Sequence, residues 1–443
     1  MGKSWKPSAT KRSFIARASY SPISASDHVL MGDRNVKLAR LLPLVAACGM
    51  LAPMAGPIAP AQAAGNDQVV IANVGDESGV YSSLDGLGAV VADQMAIDDF
   101  GGKVLGKPIK LVHYDHRNDA GLANQETNEA IDRDHATLLV DYTNSATALS
   151  GENVAKQKHI VQIVTGGGSD AITNDPKYCN KYTFHYGYDV YALAHGTAAT
   201  MTKEGGKKWY LITANYAFGQ ALAKDTVAAV EANGGSVLGN DFVPLGTSDF
   251  SSYLLKAQAA KPDVIGLANA GNDTVNAMKQ INEFGLKKAL KVGVMLLFES
   301  DVHALGPDYW AGSTVTIGGY WDLDAKSRAF AERFAKKFHG NMPTWSEFAN
   351  YSAVLQYLEA VKRAGSADSD AVVKQLVGHK INDAFVHNGY IRPQDNLLIH
   401  DMYLAEVLPA SQVKQPWAYF KILKTIPGEE AFRPASEVKC HLQ

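Results

Sequence analysis

The stretch VVIANVGDESGVYSSLDGLGAVVADQMAIDDFGGKVLGKPIKLVHYDHRND, Val69 to Asp119, decides how the chain is read. It opens on an unbroken apolar run, Val69-Val70-Ile71-Ala72, the pattern of a strand buried on both faces. A small polar loop follows, Gly75 to Ser83, with Ser78-Gly79 inside it. Leu84, Leu87, Val91 and Met95 then recur at helical spacing and predict an amphipathic helix with that stripe inward. Gly101-Gly102 ends it, because glycine takes the left-handed turn after a helix at little cost. Ile109-Lys110-Leu111-Val112 reads as a second strand, closing on Tyr114-Asp115. Strand, helix and strand make a βαβ unit, so a parallel sheet with a ligand-sized crevice at its strand tips is expected.

Upstream the pattern changes. Residues 1–35 are rich in Ser, Lys and Arg and have no apolar period. From Met31, Arg34, Lys37 and Arg40 precede an apolar run, Leu41 to Pro60, that ends in Ala61-Gln62-Ala63. Basic region, apolar region and A-x-A site predict a cleavable secretory signal over 1–63, with a mature start near Ala64 or Gly65. Pro43, Pro53, Pro57 and Pro60 argue against a membrane-spanning helix. Translation starts at Met31, or the signal has a long basic region. A lipoprotein signal ending at Cys48 is the alternative; the apolar-leaning residues after it count against that. Removing the signal leaves Cys179 and Cys440, and in an oxidising compartment they are expected to pair, with two free thiols as the other outcome.

A length of 443 residues allows two or three domains. A net charge of −3 argues against a nucleic-acid partner, which would favour a basic face. Downstream of Asp119 the strand–loop–helix rhythm repeats. Thr137–Asp141 and Ile160–Val164 read as strands, and the aromatic-rich Tyr182–Tyr188 as a crossing to a second series. That series starts at Trp209 and includes strands over Ser236–Pro244 and Lys291–Leu297. Near the end, Met402–Val407 and Trp417–Leu423 read as strands. Two similar α/β halves follow from this rhythm.

The ordered set from Val69 to Asp119, with Asp98-Asp99-Phe100-Gly101-Gly102 and Val-Leu-Gly-Lys-Pro at its centre, resembles the start of a type I periplasmic substrate-binding protein. The similarity is to the branched-chain amino-acid-binding (leucine/isoleucine/valine-binding) group of ABC importers. Thr-Ser-Asp-Phe-Ser-Ser at 247–252, Lys-Pro-Asp-Val-Ile at 261–265, Asn-Tyr-Ala-Phe-Gly at 215–219 and Tyr-Trp-Asp-Leu at 320–323 carry it through the second half, to about Leu423. The resemblance implies an α/β fold of two Rossmann-like lobes joined by a three-segment hinge. Lobe 1 would hold 65–187 and 321–399, and lobe 2 would hold 188–320 and 400–443. It further implies a monomeric periplasmic receptor that is no enzyme, uses no cofactor, binds a small carboxylate and docks on a membrane permease. A receptor serving a sensor, or an exported α/β enzyme, is the alternative.

Three loops combine small residues with a following helix: Ser78-Gly79, Asn144-Ser145-Ala146-Thr147 and Gly167-Gly168-Ser169. Helix N-termini present unpaired N–H groups and a positive dipole end, which suits an anion. Taken singly such residues are plain caps; together they point to binding. The resemblance places a ligand carboxylate at the last two loops. It places aromatic residues around an apolar ligand body, here Tyr81, Tyr216, Phe218, Tyr320 and Trp321, with hinge packing as the plainer reading. The family's tyrosine for a ligand ammonium falls in Asn269-Ala270-Gly271, which has none, and its acidic partner falls at Phe298 or Glu299. Asp301 reads as a helix cap. Branched or aromatic amino acids and aromatic or aliphatic acids both stay open as ligands, with a lean to the acids. His113-Tyr114-Asp115-His116 is a poor metal cluster, since the two histidines alternate faces on a strand. No Gly-x-Ser-x-Gly elbow or G-x-G-x-x-G spacing supplies a nucleophile or a dinucleotide loop.

Overall fold

The computed structural model describes residues 67–442. The segment read as a signal, 1–63, and Cys48 lie outside them. The first sheet has six strands: β1 (Val69–Gly75), β2 (Lys103–Val104), β3 (Lys107–Asp115), β4 (Leu138–Asp141), β5 (Val161–Val164) and β6 (Thr183–His185), in the order β2-β3-β1-β4-β5-β6. β1 pairs in parallel with β3 and β4, and every residue of it is buried, which is what its unbroken apolar run requires. The second sheet holds β7 (Lys208–Ala214), β8 (Ser236–Val243), β9 (Val264–Ala268) and β10 (Lys291–Val294), all parallel, in the order β10-β9-β7-β8. The fold is α/β with parallel sheets, as the sequence pattern implied.

Two antiparallel sheets complete the body. β11 (Thr314–Ile317), β15 (Met402–Val407) and β16 (Phe420–Ile426) form one, in the order β11-β15-β16. β12 (Lys380–Ile381), β13 (Gly389–Ile391) and β14 (Leu398–Ile399) form the other, beside β6 through a bridge from Leu397 to His185. The expected strand from Trp417 starts three residues late. Trp417 has φ 69°, a turn conformation that a strand cannot contain.

The helix Gly86–Phe100 forms, and Gly101 ends it in the left-handed region at φ 100°. Of its expected inward stripe, Leu84 and Met95 are buried and Val91 is partly buried, but Leu87 is not. Leu87 is 50% exposed, and the buried face is Gly88, Ala89, Ala92, Met95 and Ala96. The helix Trp345–Ala364 packs against that face, and any side chain at Gly88 would run into the Glu347 carboxylate. Small residues permit this close approach, and a search for large apolar residues overlooks them.

The chain passes between the two parallel sheets three times: after β6, after β11 and after β14. The crossings meet. His400 Nε2 donates to the Gly187 carbonyl at 2.8 Å, and a Cβ on Gly318 would stand 2.7 Å from that same oxygen. Gly187 sits at φ 101°, a conformation open to glycine. After β16 the tail turns back toward the first sheet. Lys439 N donates to Asn174 Oδ1, and Cys440 is disulfide-bonded to Cys179, with Cα atoms 6.4 Å apart.

Candidate ligand-binding cleft

A narrow cavity lies where the segments after β1, β4 and β5 face those after β7, β9 and β10. From the first sheet come Tyr81, Leu84, Asp85, Thr143, Ser145, Gly166 and Gly168; from the second come Tyr216, Phe218, Ala270, Leu296 and Phe298, with Tyr188 from the first crossing. Each group follows the carboxyl end of a parallel strand, the place where open α/β sheets present loops to ligands.

The loop after β1 is built on Asp76. Its carboxylate accepts from Gly79 N at 2.6 Å and Tyr81 N at 2.8 Å, and it pairs with Asn118 Nδ2. This turns Tyr81 inward, where its hydroxyl lies 2.7 Å from that of Tyr216 on the opposite side. Ser78 turns the other way: it is exposed and gives its hydroxyl to Asp115 at 2.5 Å. Phe298 stacks on Trp345, centroids 4.4 Å apart, and Tyr188 meets Trp345 edge-on at 4.8 Å. The Tyr188 hydroxyl donates to the Gly166 carbonyl at 2.7 Å. At Gly168 a Cβ would stand 3.1 Å from Phe218 and closer still to Tyr188, so only glycine leaves room for both rings.

Ser145 opens the helix Ser145–Lys158, whose first-turn N–H groups have no intrahelical acceptor. Ser169 N donates to Ser145 Oγ at 3.0 Å, leaving that hydroxyl's own proton free to donate. Asn144 is the cap: its Oδ1 takes Ala146 N at 2.7 Å, and its Nδ2 donates to Asn118 at 2.6 Å. Thr147 is buried one turn on and donates to the Asn144 carbonyl. Ser145 and Gly168 therefore line the cavity, Ser169 supports Ser145, and Asn144 and Thr147 hold the helix end in place.

The second-half candidates divide in the same way. Tyr216 and Phe218 line the cavity. Asn269 is buried beside it, with Oδ1 accepting from Thr274 at 2.7 Å, while Ala270 is the residue that reaches the cavity. Glu299 is fully buried, and its Oε2 accepts from Trp345 N at 3.3 Å; the cavity is lined by its neighbour Phe298. Burial pushes the Glu299 carboxyl up to about 8. Asp301 accepts from Phe298 N at 3.0 Å, a capping role. Trp321 is buried, its indole N–H donating to Trp417 O at 3.0 Å, and Tyr320 packs against Phe420; neither lines the cavity.

Sequence reasoning passed over Asp85. It precedes a helix, like a cap, yet makes no capping hydrogen bond. It is 2% exposed and is the only ionisable carboxyl among the described lining residues, which include no Lys, Arg or His. Burial pushes its carboxyl up to about 7, with the Asp76 charge adding to the shift. Asp141 lies behind it and is raised well above the usual carboxylate range by burial, then by the charges of Asp85 and Asp93. Asp93 is pushed up to about 8, again chiefly by burial, and accepts from Asn73 Nδ2 at 2.8 Å.

A model of the family described as periplasmic binding protein matches residues 68–412. The chain belongs to that family. Among solved structures similar to this periplasmic binding protein is one from Burkholderia mallei, 49% identical, with a TM-score of 0.83, covering 85% of this chain and 100% of that one. A branched chain amino acid ABC transporter periplasmic ligand-binding protein from Burkholderia xenovorans LB400 is 36% identical, with a TM-score of 0.76 and coverage of 84% and 99%. Leu/Ile/Val-binding protein homolog 4 of Brucella melitensis is 26% identical over 364 residues, 79% of this chain and 86% of that protein. The resemblance to the type I, leucine/isoleucine/valine-binding group of ABC-transporter receptors holds, and family membership implies the periplasm.

Proposed function

We propose that this periplasmic binding protein is the receptor of an ABC importer for a small carboxylate with a branched or aromatic body. The observation that carries the reading is the composition of one cavity: aromatic and apolar walls from both halves, with Ser145 at a helix N-terminus on one side. The carboxylate would sit at Ser145 beside Gly168 and the Ser169 support; Tyr81, Tyr216, Phe218 and Phe298 would enclose the body. Lobe 1 would be 65–187 with 321–399, lobe 2 would be 188–320 with most of 400–443, and the crossings at Gly187, Gly318 and His400 would be the hinge. Closure of two such bodies on a ligand is a common switching motion. The protein would act as a monomer, be exported by a signal cleaved near Ala63, and hand its closed form to a permease. The names of the relatives from Burkholderia xenovorans and Brucella support this class of solute.

Micromolar binding corresponds to about −8 kcal/mol. Charge-assisted hydrogen bonds at about 1.5–3 kcal/mol each, plus the apolar contact, are of the right size. Thermal shift against branched, aromatic and aliphatic amino acids and acids, followed by calorimetry on the best, tests the proposal. Ser145→Ala and Phe218→Ala should each weaken binding at least tenfold with little change in fold. Unchanged affinity in both would remove the cleft assignment.

A further inference from the structure

We propose that Arg433, carried on the C-terminal tail, pins the two halves together at one carboxylate from each, and so sets how fast the ligand leaves from a position outside the cavity. The proposal rests on the reading of two halves closing on a solute given above and goes beyond it, because it assigns a residue that touches no ligand.

Arg433 Nη2 lies 2.9 Å from Asp170 Oδ2 and 3.3 Å from Asp225 Oδ2. The two carboxylates come from opposite halves. Asp170 follows Ser169, the support of Ser145, after β5 of the first sheet. Asp225 stands about two turns on from the cavity-lining Phe218, in the helix after β7 of the second sheet. Two negative groups within reach of one nitrogen repel each other, and Arg433 is the only cation paired with either among the described residues. Burial, then the Asp170 charge, push the Asp225 carboxyl up to about 6 against the pull of Arg433. One guanidinium thus turns a repulsion between the halves into an attraction. It also covers the ring of Tyr191, on the helix Val190–Lys203 of the second half, 4.5 Å from the centroid.

The frame that holds Arg433 belongs to the first half. Its carbonyl accepts from Arg392 Nη1 at 2.6 Å, and Arg392 is fixed by hydrogen bonds to Asp395 at 2.9 and 2.6 Å. Beyond it, Lys439 N donates to Asn174 Oδ1, Leu442 N donates to the Gln394 carbonyl, and Cys440 is bonded to Cys179. Before it, the short helix Gly428–Ala431 packs beside the crossing at His400, where little movement is needed. When the halves part, Arg433 and Asp170 would travel together and Asp225 would move away. A contact that exists only after closure slows release and leaves capture unchanged. The tethered tail keeps the guanidinium beside Asp225 at high effective concentration each time the halves meet.

The test is stopped-flow capture and release of L-leucine and of 4-hydroxybenzoate by the wild-type protein, Asp225→Asn and Arg433→Gln, with small-angle X-ray scattering of each protein without ligand. Asp225→Asn keeps Arg433 on Asp170, so the tail stays docked. Its release rate should rise about fivefold, as for one ion pair, with capture within about twofold of wild type. Arg433→Gln should release faster still, because it leaves the two carboxylates facing each other, and its radius of gyration should exceed that of the wild type. A residue that only supports the fold would lower Tm and leave the ratio of release to capture untouched. Where Arg433→Gln folds poorly, the Asp225→Asn rates stand. Unchanged release in Asp225→Asn overturns the proposal. Where neither probe binds, scattering decides: a larger radius in Arg433→Gln supports the pin, and equal radii overturn it. Release that answers to Ser145→Ala and Phe218→Ala but ignores Asp225→Asn leaves the cleft reading standing and removes this proposal. Binding indifferent to Ser145→Ala and Phe218→Ala counts against the cleft reading, and faster release in Asp225→Asn would still support the pin.

Discussion

The hydroxyls of Tyr81 and Tyr216 lie 2.7 Å apart, one from the loop after β1 and the other at the start of the helix after β7, so a single hydrogen bond closes the cavity between the two halves. Neither ring can make this bond once the halves part. In the closure proposed above it would be a contact of the closed arrangement alone, and ligands shift such an equilibrium only through differential contacts of this kind.

Tyr81→Phe removes the bond and keeps the ring. Ligand affinity should fall about fivefold, the equivalent of about 1 kcal/mol for one buried hydrogen bond. Calorimetry with the best ligand measures this, and Tyr216→Phe should give the same loss. The double variant should lose no more than either single one, because both remove the same bond.

Arg433 connects three parts of the chain. Its Nη2 lies 2.9 Å from Asp170 Oδ2, ahead of the helix Ala171–Asn174, and 3.3 Å from Asp225 Oδ2 on the helix Ala217–Ala232, while its guanidinium covers the Tyr191 ring. The three side chains are 17%, 13% and 8% exposed, between a surface pair and a buried one. Arg433→Gln leaves two carboxylates facing each other. We expect a loss of about 2 kcal/mol in urea unfolding, within the range between exposed and buried ion pairs. Asp225→Asn in the same background should recover part of it.

Gly88→Ala tests the close contact of the helices Gly86–Phe100 and Trp345–Ala364. The added methyl group meets the buried Glu347 carboxylate, whose Oε2 accepts from Thr344 N at 2.7 Å. Alanine would normally favour a helix, so intrinsic propensity predicts a gain. Overpacking should win, with a loss of about 1–3 kcal/mol by denaturant unfolding.

Buried acids set the pH dependence of the ligand-free protein. Asp85, Asp189 and Asp301 are pushed up to about 7, and Asp93 and Glu299 to about 8, all chiefly by burial. In the unfolded chain these groups ionise near pH 4. A raised pKa in the folded state gives stability that is complete below pH 4 and lost as pH climbs through 7 to 8. Buried His116, His185 and His400 are pulled down to about 4, and they act in the opposite sense between pH 4 and about 6.5. Above pH 6.5 the histidines are neutral in both states and the acids alone count. Tm should therefore fall between pH 6.5 and pH 8, by about 4 °C if about 2 kcal/mol is lost. A flat or rising Tm over that window would contradict the neutral state assigned to these carboxyls.

Much of this arrangement is legible in the amino-acid order. Val69–Ala72 has the pattern of a doubly covered strand and is one, and the glycine pair at 101–102 sets the helix end. Tyr81, Ser145, Gly168, Tyr216 and Phe218 stand at strand tips where loop position alone marks them. Asp85 was hidden because a carboxylate before a helix reads as a cap; only the missing hydrogen bond distinguishes it. Glu299 was misleading for the reverse reason, since a one-residue step decides whether a side chain enters the cavity or the core, and Phe298 takes the cavity. Met95 on the inward face of the helix Gly86–Phe100 was legible, but Gly88, Ala89, Ala92 and Ala96 beside it were not, because burial of such small residues depends on a partner more than 240 residues away.

The sulfur bridge between Cys179 and Cys440 spans 261 positions in the sequence. Its first partner is synthesised long before its second, so the covalent seal belongs to the last moments of biogenesis. Up to then the tail and its Arg433 contact are held by weak forces only, and closing a ring of this size lowers the disorder of the unfolded chain by about 5 kcal/mol. Protein made in a reducing cytoplasm would lack the seal, and an affinity tag fused after Gln443 would begin three residues beyond it. An oxidising host compartment is the condition under which the fully fastened molecule can be studied.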